Sequence, residues 1–143
     1  MRSLTLLVLA SCAPAPRPTT TTPPAPAAVR AVPPAERVPG AIAGAWRVTC
    51  AENQGEIIDI TVDGGKAVGR VAEPGVAARY GFRKGEEVFR LAANPAGEWA
   101  GEVHWRGVSG AEHWDGIVLA ATQTTLTATI TNEPCYRDMP RAR

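Results

Sequence analysis

Two His-Trp dipeptides stand close together in EVHWRGVSGAEHWDG (102–116), at His104-Trp105 and His113-Trp114, and they hold the only two histidines of the chain. Carboxylates flank both. Read 99–106 as a strand, and Val103 and Trp105 point one way while Glu102, His104 and Arg106 point the other. In 112–119 His113, Asp115 and Ile117 lie opposite to Trp114, Gly116 and Val118. If the tryptophans share the buried side, antiparallel pairing sets Arg106 opposite Ala111, His104 opposite His113 and Glu102 opposite Asp115. Glu102, His104, His113 and Asp115 then converge on one face. Two imidazoles and a carboxylate suit zinc. The same groups form an acid–base pair, since histidine titrates near neutrality. The plainer reading is a hairpin face turned to water, with charged pairs across the strands.

Other chemistry is thin. There is no Gly-x-Ser-x-Gly elbow, no P-loop and no HExxH, so no residue is assigned a catalytic role. Net charge is +1. There is no basic cluster of the kind that binds nucleic acid.

The elements that must position these residues are strands. AGAWRVTC (43–50) opens the series. EIIDITV (56–62) and KAVGRVA (66–72) flank Asp63-Gly64-Gly65, a tight-turn signal. ARYGF (78–82) and EEVFRLA (86–92) flank Arg83-Lys84-Gly85, although EPGVAARYG also suits one short helical turn. Then come 98–106, 112–121 and TLTATIT (125–131). No window shows a sustained helical period. The fold expected is all-β: an antiparallel meander of seven or eight strands closing into a small barrel, or alternatively a sandwich. Trp46, Trp99, Trp105 and Trp114 supply its core or line a ligand site.

Gly44-Ala45-Trp46 resembles the Gly-x-Trp of the first strand in lipocalin- and avidin-type barrels. The resemblance implies that Trp46 plugs one barrel end, and it brings ligand binding into view. At the N-terminus, Arg2 and the apolar run 4–10 lead to Leu9-Ala10-Ser11-Cys12, which resembles the lipobox of bacterial lipoproteins. That implies a signal peptide over 1–11, cleavage before Cys12, and acylation there. With Ala at position 13 the resemblance implies sorting to the outer membrane. Acyl chains anchor firmly, at about 0.8 kcal/mol per buried CH2.

Nine of the 13 prolines fall between Pro14 and Pro39. Such a stretch buries too little to order itself, so 12–40 reads as the lipidated cysteine and a disordered, semi-stiff tether. The domain follows over 41–139, with a tail at 140–143. With Cys12 taken by lipid, Cys50 and Cys135 remain as an even pair in an oxidising compartment and read as a disulfide.

These readings favour an outer-membrane lipoprotein with a non-enzymatic binding or interaction module, in the periplasm or at the cell surface. Its partners are the membrane, through the anchor, and a small apolar ligand or an envelope protein. The alternatives are a zinc-binding protein or metal-dependent enzyme using the 102–115 hairpin, and a purely structural envelope protein.

Overall fold

The computed structural model describes residues 31–132 and 134–143. The signal segment, Cys12 and the tether as far as residue 30 lie outside the described residues. Eight antiparallel strands form one sheet in chain order. They are β1 (Gly44–Arg47), β2 (Ile57–Asp63), β3 (Lys66–Glu73), β4 (Glu87–Ala93), β5 (Trp99–Arg106), β6 (Glu112–Ala121), β7 (Thr125–Thr131) and β8 (Asp138–Pro140). The expected meander is thus present, and it curls until its two edges nearly meet. Trp46 bridges to Arg141, and the Ala142 N–H donates to the Ala45 carbonyl at 3.0 Å.

Local sequence explains the elements. In β2, Ile58 and Ile60 are buried while Asp59 and Thr61 face out, the period-two pattern of a half-buried strand. Gly64 and Gly65 turn the chain into β3 with φ of +53° and +79°. Only glycine takes both angles without strain. The stretch 78–82, read as a strand, is different. Gly75–Tyr80 forms a 3-10 helix ended by Gly81 at φ +89°. Pro74 and Gly75 break the extended run, the alanines tolerate helix, and the connection is left free to fold over the barrel end.

The interior is filled by Trp46, Ile58, Ile60, Phe89, Val103, Leu119, Leu126 and Met139, all essentially inaccessible. Eight strands leave room for little more than side chains. The Trp46 indole N–H donates to the Ile42 carbonyl at 2.7 Å and that of Trp99 to the Pro39 carbonyl at 3.1 Å. Both indoles bury their rings and still satisfy their one donor.

The folded unit reaches beyond 41–139 at both ends. Val32 is buried, Arg37 pairs with Glu98 at 3.2 Å, and the Val38 N–H donates to the Ala121 carbonyl. Residues 32–40, read as tether, therefore pack on the barrel. At the other end Arg141, read as tail, donates to the carbonyls of Ala41 and Ala43 and lies 4.0 Å over the Trp46 ring. Apolar neighbours and open carbonyls capture both segments, which composition alone does not reveal. No helix among the described residues is long and apolar enough to cross a membrane.

Candidate ligand-binding mouth

The β5–β6 pairing differs by one residue from the register expected. His104 stands opposite Trp114, Trp105 opposite His113, Val103 opposite Asp115 and Glu102 opposite Gly116. A one-residue slip moves every side chain of a strand to the other face relative to its partner. The four candidate ligands consequently do not converge. His104 and Glu102 share the face of Trp114, while His113 and Asp115 share the face of Trp105. The cause is the core: Trp99 and Val103 on β5, and Ile117 and Leu119 on β6, are all buried and all odd-numbered. Pairing odd with odd puts these four on one side.

Each residue then finds its own surroundings. His113 is half exposed; its Nε2 meets Asp115 Oδ2 at 2.8 Å, and its ring lies 4.7 Å from that of Trp105. Glu102 is exposed. His104 is 7% exposed and stacks on Trp114 at 4.8 Å, with the planes 9° apart. Phe82 meets it in a T-shaped contact, with the centroids 5.5 Å apart. Arg90 covers the Trp114 ring at 3.8 Å, so this face is a tier of cation, indole and imidazole.

The residues do not fit zinc either. Among the described residues one group of potential ligands converges, Cys50, Glu52 and Cys135. Its two sulfurs are joined in the Cys50–Cys135 disulfide, whereas a cysteine ligates zinc as the free thiolate.

A cavity of about 510 Å³ opens instead at one end of the barrel. All four connections at that end line it: Glu52 and Asn53 after β1, Tyr80 and Phe82 before β4, 104–109 at the β5–β6 hairpin, and 134–136 before β8. The walls are mainly aromatic and aliphatic. The disulfide ties the first of these loops to the last, with Cα atoms 4.9 Å apart.

The polar groups beside the cavity are few and coupled. Arg106 Nη2 donates to Glu86 Oε1 at 2.7 Å and to Glu112 Oε2 at 2.8 Å. These hydrogen bonds, that to Glu112 first, hold the guanidinium pKa above its ordinary value. In return the Arg106 hydrogen bond, helped by its charge, holds the Glu112 carboxyl below the usual range. His104 lies between the same two acids, with Nδ1 3.7 Å from Glu86 Oε1 and Nε2 3.4 Å from Glu112 Oε2.

Behind the cavity wall sits Glu56, with no exposed surface. Asn53 Nδ2 donates to its Oε2 at 2.9 Å and also reaches the Tyr136 hydroxyl at 3.4 Å. Burial pushes the Glu56 carboxyl up to about 7, against the opposing effect of the Asn53 hydrogen bond.

The tryptophans divide three ways: Trp46 and Trp99 in the core, Trp105 on the cavity wall, and Trp114 on the far side of the sheet. Sequence reasoning missed Glu56, Glu86, Phe82 and Tyr136. Glu56 carried a signal, since it continues the inward series Ile58, Ile60 one step back. The other three lie at or beside loops, where no period applies. Compared with protein-family models, with curated proteins and with solved structures, the chain matches none.

Proposed function

We propose that this chain is an envelope lipoprotein, anchored at the outer membrane through Cys12, whose barrel binds a small ligand with an apolar body at its mouth and performs no chemistry on it. The observation that carries this reading is the cavity of about 510 Å³, walled by Tyr80, Phe82, Trp105 and Tyr136. Its size falls in the range of small-molecule sites, roughly 300–1,000 Å³, and such sites are mostly apolar with a few fixed polar groups. The disulfide supports the reading too, because it holds two of the lining loops in place before any ligand arrives. The anchor rests on the lipobox resemblance of residues 9–12.

Two experiments test it. The mass of the mature N-terminus, and membrane fractionation of the Cys12→Ser variant, test the anchor: an acylated cysteine is expected, and release of the variant from membranes. For the cavity, the uncharged fluorophore N-phenyl-1-naphthylamine is titrated against the whole chain carrying Cys12→Ser, disulfide intact. Saturable enhancement at one site, lost in Trp105→Ala, is expected. No saturable binding rules out the mouth as an apolar site.

A further inference from the structure

Two buried side-chain atoms among the described residues have no hydrogen-bond partner: Glu56 Oε1 and His104 Nδ1. One lines the mouth and the other lies behind its wall. His104 lines the cavity while only 7% exposed, and Glu56 stands directly behind Asn53, which also lines it. An unpaired buried polar atom is costly and rare, and it calls for a partner.

The surroundings of His104 define that partner. Neutral imidazole has one donor and one acceptor nitrogen. With the Nε2 proton turned to Glu112, 3.4 Å away, Nδ1 offers a lone pair 3.7 Å from the Glu86 carboxylate. Two acceptors then face each other with no hydrogen between them. A donor placed there satisfies the imidazole nitrogen and adds to the Arg106 hydrogen bond on the carboxylate, and a charged one does so best.

Rings and charges agree on the sign. The protein's own guanidiniums already lie over two lining rings, Arg79 over Tyr80 at 4.7 Å and Arg106 over Phe82 at 4.9 Å. These are the positions in which aromatic faces favour cations. Arg106, which lines the cavity, is neutralised between Glu86 and Glu112 beside it, and Glu52 is the carboxylate of the lining itself. An anion would meet the Glu52 carboxylate in the lining, and an Arg106 already engaged by the carboxylates of Glu86 and Glu112. A metal ion would meet Arg106 Nη2 already seated between those two.

We infer that the mouth binds an organic ammonium ion, a primary or secondary amine on an apolar, ring-sized body, with its N–H groups between His104 Nδ1 and the Glu86 carboxylate. This rests on the reading of the mouth as a binding site. The ring-sized body packs on Trp105 and Phe82, and the amine lies deepest.

Three probes of matched size test it by calorimetry on the whole chain carrying Cys12→Ser: phenethylammonium, phenethyl alcohol and 3-phenylpropionate. The ammonium is expected to bind about tenfold more tightly than either other probe, the gain of a partly desolvated cation among rings and acids. Glu86→Gln should remove most of that advantage, read as the ratio of ammonium to alcohol affinity on the same variant. Glu52→Gln, at an exposed position, should reduce it about twofold to threefold and serves if Glu86→Gln fails to fold. If alcohol and ammonium bind equally well, the cation inference is overturned while the binding site stands. If neither they nor the fluorophore bind, the binding reading itself falls.

Discussion

His104 and Trp114 face each other across β5 and β6 and stack 4.8 Å apart, almost parallel. The pair joins the outer tier to the mouth, because the imidazole also meets Phe82. Removing the indole also unseats Arg90. Trp114→Ala is therefore expected to cost about 2–3 kcal/mol, the sum of lost burial and ring contacts. His113→Ala, at a half-exposed site, should stay within about 0.5 kcal/mol. Urea midpoints of the two variants check this, and equal losses would contradict the asymmetry between the His104–Trp114 and His113–Trp105 pairs.

Glu56 makes stability depend on pH in an unusual direction. Its carboxyl is raised from 4.5 to about 7 in the folded chain, so between those values the native state holds a proton that the unfolded state has released. Its contribution is fully present below about pH 4.5 and is lost as pH rises through 7. The difference amounts to something on the order of 3 kcal/mol. Glu56→Gln should flatten the wild-type decline between pH 5 and 8. Denaturant melts of both proteins at four pH values, compared as differences, isolate this group. A parallel pair of curves would show that Glu56 does not titrate in that window.

The disulfide closes 85 residues of chain. On the chain-entropy model, that loop is worth about 4–5 kcal/mol. Cys50→Ala with Cys135→Ala should lower the urea midpoint accordingly. Fluorophore binding should weaken before the barrel melts, because the bond joins two lining loops. Binding measured below the melting range tests the second point separately.

Gly101 and Gly116 are both strand glycines, but they should respond oppositely to alanine. A Cβ on Gly101 would lie 1.9 Å from the Arg90 carbonyl oxygen, which is backbone and cannot swing aside. Gly101→Ala must push β4 and β5 apart and should cost about 1–3 kcal/mol or more. A Cβ on Gly116 meets nothing within 4 Å, so Gly116→Ala should be neutral or slightly stabilising. Thermal melts of the two variants decide it.

The barrel was legible where alternation is clean. Ile58 and Ile60, the Asp63-Gly64-Gly65 turn and the Thr-rich run of β7 each carry period-two or turn chemistry that needs no tertiary context. Cys50 and Cys135 were legible by elimination. β8 was not, because three residues, Asp138–Pro140, are too few to show a period. The candidate site was misread for one physical reason. Placing all tryptophans inside outweighed the longer odd-numbered series of Trp99, Val103, Ile117 and Leu119, and one step of register separates those choices. The mouth itself is a product of loops meeting, which no local pattern encodes.

The N-terminal segment joins the barrel at the end away from the mouth. Arg37 holds Glu98 and the Ala96 carbonyl in the β4–β5 turn, and Val38 bonds to Ala121 where β6 ends. Strands of seven or eight residues at about 3.3 Å each, tilted as in a barrel, separate the two ends by about 20 Å. The domain thus has a base, where the N-terminal segment packs, and a rim, where the mouth opens. On the proposed attachment through Cys12, the link to the anchor leaves from the base, and the mouth lies at the opposite end of the domain from it.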